Sequence, residues 1–188
     1  LKAVTFQARL GSVWEKCLRV SALARQLASA FAVQPEIAER AALLAKCDLL
    51  SRMVGEFPEL QGEMGKTYAL AQGESSELAA SLDEVYCPRA SGAPIAPSAL
   101  GKCLAVAERL DTLAGIFAAG LKPTGNKDAF ALRRAALGLA RTLIEGEIQL
   151  DLVQAIQFAV AQLPASVAAK PELTDELYAF VVERLRAY

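Results

Sequence analysis

Histidine is absent from the 188-residue chain. Metal ligation by imidazole is therefore excluded, and so is the most common general base. Cysteine is sparse and scattered. Cys17, Cys47, Cys87 and Cys103 form no CxxC pair, so a zinc site is not expected. They read as free thiols, mostly small core residues, in a reducing compartment. Aromatic residues reach only 6%. No apolar run approaches the roughly 18 residues a membrane span needs, so neither a span nor a signal peptide is expected. P-loop, GxGxxG and GxSxG motifs are all missing, and the Ser, Cys and Lys side chains have no visible base to activate them. An excess of positive charge is also lacking. The formal charge is −1, so nucleic acid would have to be held by a local cluster, not by the field of the whole chain.

What remains is rich in Ala and Leu. Hydrophobic residues make up 54% and charged ones 22%, a balance that folds rather than stays disordered. Ala and Leu lose little side-chain freedom in helices, and the fold class expected is all-α, with seven or eight helices and no strand. A stripe at three- and four-residue steps (Leu10, Val13, Trp14, Cys17, Ser21, Ala24, Leu27, Phe31) predicts a first helix over 7–31. Pro35 opens a second, expected to run to Glu56 and to break at Pro58. Further helices are predicted over 59–71, 75–86, 98–119, 127–145, 148–163 and 172–187. The stretch "CPRASGAPIAP" (87–97) reads as loop, and "PASVAAKP" (164–171) as the flexible joint. The chain opens on Leu1 and closes inside a helical pattern at Tyr188, as expected of a piece of a longer protein.

Three groups of charged residues bear on chemistry. Lys127, Arg134 and Arg141 are seven apart, nearly two helical turns, which would align them on one side over about 20 Å. Lys122 and Arg133 add to the excess, and Asp128 is the one acid among residues 122–141. Guanidinium forks and lysine ammoniums suit phosphate oxygens, so this segment could contact RNA or another phosphate. It could equally be a solvated face, or arginines paired with acids such as Glu145. Glu56, Glu59 and Glu63 crowd a proline and two glycines. With no histidine beside them they read as a hinge and surface rim rather than an acid–base or metal site. Asp111, beside the apolar stripe of 98–119, needs a partner if it is half buried, and a structural ion pair is expected.

Four stretches carry more specific wording. "FQARLGSVWEKCLRV", "AALLAKCDLLSRMVGEFPELQGEMGKTYAL", "VYCPRASGAPIAPSALGKCLAVAERLDTLAGIF" and "KPTGNKDAFALRRAALGLARTLIE" occur in this order. Together they resemble the β subunit of the heterotetrameric bacterial glycyl-tRNA synthetases. The resemblance runs from near Phe6 to Glu145 and continues more weakly to "LYAFVVERLRAY". It implies a helical domain related to the His-Asp phosphohydrolase fold over 1–163. A linker and the start of an anticodon-binding region would then occupy 164–188. Active members of that fold hold metal with His and Asp ligands. Here "AKCDL" stands at the His-Asp position, and Glu108 or Asp111 near the later acid, so the metal site is degenerate and phosphohydrolase activity is not expected.

The resemblance further implies a cytoplasmic, non-catalytic, tRNA-binding scaffold with no cofactor of its own. ATP would be used by the parent enzyme, a two-α, two-β assembly in which the α subunit activates glycine. The implied partners are tRNA(Gly) and that α subunit. The implied RNA contacts are Lys122, Lys127, Arg133, Arg134 and Arg141, with Arg89 as an addition. In the remaining reading, this part is a structural spacer and its arginines fasten it to the rest of the β chain.

Overall fold

In a computed structural model the chain is described over residues 1–167 and 170–186. Part of the expected joint (168–169) and the last residue of the expected closing helix (187) lie outside the described residues, as does 188. The described residues contain nine α-helices, so the helical expectation holds at the level of class.

The first departure is at the start of the chain. Thr5–Gln7 (β1) and Gly11–Ser12 (β2) pair antiparallel, where no strand was expected. Gly11 makes the return with φ +84°, a conformation that costs glycine nothing. Helix α1 therefore begins at Val13 and runs to Leu27, six residues later than the apolar stripe suggested. A capping box sets that start: the Ser12 hydroxyl accepts from the Glu15 amide (3.3 Å), and the Glu15 carboxylate accepts from the Ser12 amide (2.7 Å).

The expected second helix is split into two. Pro35–Leu44 (α2) ends before a 3₁₀ turn, and Arg52–Glu56 (α3) restarts after Ser51, whose hydroxyl accepts from the Val54 amide. A second 3₁₀ turn begins at Pro58. Glu63–Ala71 (α4) and Ser76–Glu84 (α5) follow. Glu56, Glu59 and Glu63 are exposed and lie on three separate elements, as suits a rim.

Ala99–Ala118 (α6) is the central helix. Fifteen of its twenty residues are buried, the mark of a helix packed on all sides. It touches α1, α2, α5, α7, α8 and α9. Leu100, Leu104, Leu110, Leu113 and Ile116 are fully enclosed, each contributing about 1.5–3 kcal/mol of burial. Cys17 and Cys103 belong to the interior, whereas Cys47 is exposed and Cys87 half-buried.

Leu132–Glu145 (α7), Leu152–Ala161 (α8) and Leu173–Arg186 (α9) complete the set. Val167, Leu173, Leu177 and Val181 join the same apolar cluster as α1 and α6. Helix α7 starts five residues later than predicted. The Asp128 carboxylate accepts from the Leu132 and Arg133 amides (2.8 and 3.0 Å), and Ala131 turns the chain with φ +53°. Lys127 is left in a tight turn bridged to Thr124, outside the helix. The expected alignment of Lys127, Arg134 and Arg141 on one helix face is thereby corrected.

Candidate nucleic-acid interface

Asp111 and Glu108 of α6 are held by cations of the chain itself, whereas Asp48 is held by a backbone amide. Asp111 is 1% exposed. Its carboxylate accepts from Arg19 Nε (2.6 Å) and from Lys16 Nζ (3.0 Å). The Lys16 ammonium also lies 3.2 Å from Glu108, donates to the Thr112 hydroxyl (2.7 Å) and sits over the Phe6 ring. Lys46 Nζ is 3.9 Å from Glu108 and 4.0 Å from the Tyr86 ring centroid. Asp48 accepts from the Gly62 amide (2.7 Å) through one oxygen, and its other oxygen is buried with no hydrogen-bond partner among the described residues. The gap among Lys16, Lys46 and Glu108 measures about 10 Å³, at the lower limit for a single water. The Lys16 and Lys46 ammoniums, with the Arg19 guanidinium, thus neutralise Glu108 and Asp111. The ion pair expected for Asp111 is a three-cation network, and its members Lys16, Arg19 and Lys46 were not foreseen. The signal was faint: Lys16 and Arg19 sit three residues apart on α1, with their partner more than ninety residues away.

The network has a pH signature. Burial pushes the Glu108 carboxyl up, but the Lys16 and Lys46 ammoniums outweigh it and bring the group from 4.5 down to about 2. A carboxyl lowered in the folded state adds stability that is complete above its unfolded value and vanishes as pH falls through its folded one. Glu108 should therefore withdraw its support between pH 4.5 and about 2. Glu108→Gln is expected to flatten the fall in stability across that interval, read as urea midpoints by circular dichroism. An unchanged slope would mean that Glu108 is not held by the lysines.

Arginines gather where α7 meets the loop after α5. A cleft of about 460 Å³ opens between α7, α9 and the loop after α5. Arg133, Arg134 and Arg141 of α7 and Arg184 of α9 line it, together with Pro88 and Ser91. Arg133 donates to the Gly125 carbonyl (2.6 Å), which folds the preceding loop back onto the helix. Arg134 is exposed and has no ion-pair partner among the described residues. Arg141 is 7% exposed and forks onto Glu145 at 2.5 and 3.2 Å, four residues along α7, as one of the two sequence readings anticipated. Arg184 contacts Glu183 (2.6 Å) and lies over the Phe180 ring, while its Nε is buried without a partner among the described residues.

A second cleft, of about 370 Å³, adjoins the first and shares Pro88 and Arg134 with it. Lys46, Tyr86, Arg89 and Phe130 also face it. Arg89 pairs with Asp83 and stacks over Tyr86. Of the six side chains singled out from the sequence, the fold brings Arg133, Arg134 and Arg141 into one cleft and Arg89 into its neighbour. Lys122 and Lys127 line neither. Lys122 pairs with Glu176, and Lys127 points from its turn as an exposed residue. Arg184 and Lys46 were missed, because neither lies in the cationic run that drew the reading.

Gly138 lets the two layers close. A side chain there would meet Arg109 Nε at 2.7 Å. Arg109 itself is 8% exposed and crosses from α6 to the loop, where it donates to the carbonyls of Val85, Tyr86 and Pro88 (each 3.4 Å) and to Ala105 of its own helix (3.0 Å). It shapes the wall between the clefts rather than offering its charge to a ligand.

Comparison with known proteins covers the whole chain. A family profile described as glycyl-tRNA synthetase beta subunit matches residues 1–188. A protein of Xanthomonas campestris pv. campestris named glycine–tRNA ligase beta subunit is 56% identical over all of this chain and 28% of its own length. Proteins of the same name from Pseudomonas putida and Pseudomonas syringae are each 50% identical over all of this chain and 27% of theirs. The chain thus spans little more than a quarter of the length of the curated relatives it matches. No helix among the described residues is long and apolar enough to cross a membrane.

Proposed function

The chain belongs to the glycyl-tRNA synthetase β-subunit family, and from that premise we propose that it is a tRNA-contacting scaffold of a glycine–tRNA ligase, supporting ATP-dependent charging of tRNA(Gly) without catalysing a step itself. Its partners in this reading are tRNA(Gly) and the α subunit of a cytoplasmic two-α, two-β assembly. Residues 1–163 would form the helical body, related to the His-Asp phosphohydrolases, and 164–188 would lead toward the anticodon-binding part.

One observation carries the reading: four arginines line a single open cleft in a chain whose net charge is −1, and Arg133 and Arg134 among them have no carboxylate partner among the described residues. Such a cluster supplies the charge-assisted contacts that position RNA through its phosphates. The phosphohydrolase alternative has little support, because the chain has no histidine and two of the acids it would need, Glu108 and Asp111, are already bound by Lys16, Arg19 and Lys46.

The test uses the intact ligase with Arg133→Glu and Arg134→Glu combined in its β subunit. These residues are exposed or half-buried, so folding should survive. tRNA affinity is expected to drop at least tenfold at low salt, and the slope of log affinity against log salt should shrink by about 2, as each lost phosphate contact removes nearly one unit. Unchanged affinity and slope would leave the spacer reading in place.

A further inference from the structure

We infer that the smaller of the two clefts receives one unpaired nucleotide of the bound RNA, with its base against Phe130 and its flanking phosphates on the arginines of the larger cleft. The inference rests on the tRNA-contacting reading above and narrows it to a class of contact.

Three observations meet here. The first is shape. The smaller cleft has about 370 Å³, within the roughly 300–1,000 Å³ typical of small-ligand sites. A paired base buried in its helix cannot enter such a hollow, whereas a splayed one can. The second is chemistry. Phe130, 36% exposed, stands at the rim, and Tyr86 lies deeper with Lys46 and Arg89 over its ring. Aromatic faces and guanidinium planes around one hollow are what unstacked bases need, because every base has a π-face to stack.

The third is continuity. Arg134 and Pro88 belong to both clefts, so a base in one places its backbone at the mouth of the other. There Arg133 and Arg134 carry no carboxylate partner among the described residues, while Arg141 and Arg184 are already paired with Glu145 and Glu183. The local backbone also presents the ring: Ala131 adopts a left-handed conformation directly after Phe130, so the chain turns sharply into α7 and leaves the ring outside the helix.

The experiment uses the whole ligase, α and β subunits together, and tRNA carrying a fluorescent purine analogue at each unpaired position in turn. At one position, stacking should quench the analogue on binding. Phe130→Ala should restore that fluorescence and weaken affinity about tenfold, the order expected for loss of one base–aromatic stack. Phe130→Trp should keep both. Phe130→Leu serves as a second apolar control and should behave as alanine does. The Arg133→Glu, Arg134→Glu protein should bind weakly whatever position is labelled. If all Phe130 variants match the parent while charge reversal still weakens binding, the nucleotide pocket is wrong and the tRNA reading stands. If both sets are inert, the two fall together. A photocrosslinker at 130 that joins protein instead of RNA would mark the cleft as a docking surface for another part of the ligase, and would overturn the inference.

Discussion

Asp111→Ala is expected to destabilise the domain by about 3–5 kcal/mol, a large share of the stability of a domain this size. The carboxylate is almost fully enclosed and is the shared counter-charge of Arg19 and Lys16. Removing it leaves a guanidinium that keeps, among the described residues, the Leu10 carbonyl at 3.1 Å, and a lysine that must rely on Glu108 and Thr112. The cost comes from the stranded charge more than from the lost attraction. A second substitution should reveal this: Arg19→Met added to Asp111→Ala ought to recover part of the loss, because it removes the charge that had no partner. Urea unfolding followed by circular dichroism measures both proteins. A loss below about 1 kcal/mol for the single variant would show that the interior accommodates the bare cation, contrary to this account.

Arg109→Ala should cost about 3 kcal/mol, with a different local consequence. Each of its contacts to Val85, Tyr86 and Pro88 is long, but one side chain makes all three and also bonds Ala105. Charged donors of this kind contribute about 1.5–3 kcal/mol, and carbonyls left buried without a donor add to the loss. The loop after α5 should loosen, so amide hydrogen exchange over 84–90 should quicken more than in the centre of α6. Arg109→Lys should recover only part, since an ammonium cannot span the loop as a planar fork does. Exchange that rises evenly across the domain, or not at all, would show that the loop is held by something else.

The class of fold was legible because helix period and Ala–Leu composition are local properties. The helix starts were less so. The box "SVWE" announced Val13 as the beginning of α1, yet the apolar stripe extends back through Leu10 and obscures it. Asp128 read as the lone acid in a cationic run, whereas it is the cap that shortens α7 and detaches Lys127 from it. The cleft residues of the run at 133–141, and Arg89 beside the prolines, were readable from the sequence. The rest depended on contacts across the fold. Nothing near Arg184 in the chain says that it will face Arg134, and nothing near Lys16 says that Asp111 will neutralise it. Spacing predicts which residues share a helix face, but a partner a hundred residues away is set by packing.

Glu108, Arg109 and Asp111 lie within one turn of the most enclosed helix, and they tie it to three separate stretches: α1, the segment after α2 and the loop after α5. A rod gripped in this way can neither roll nor slide without stranding a charge in the interior. A load applied at the loop after α5 is passed through Arg109 and Asp111 of α6 to α1.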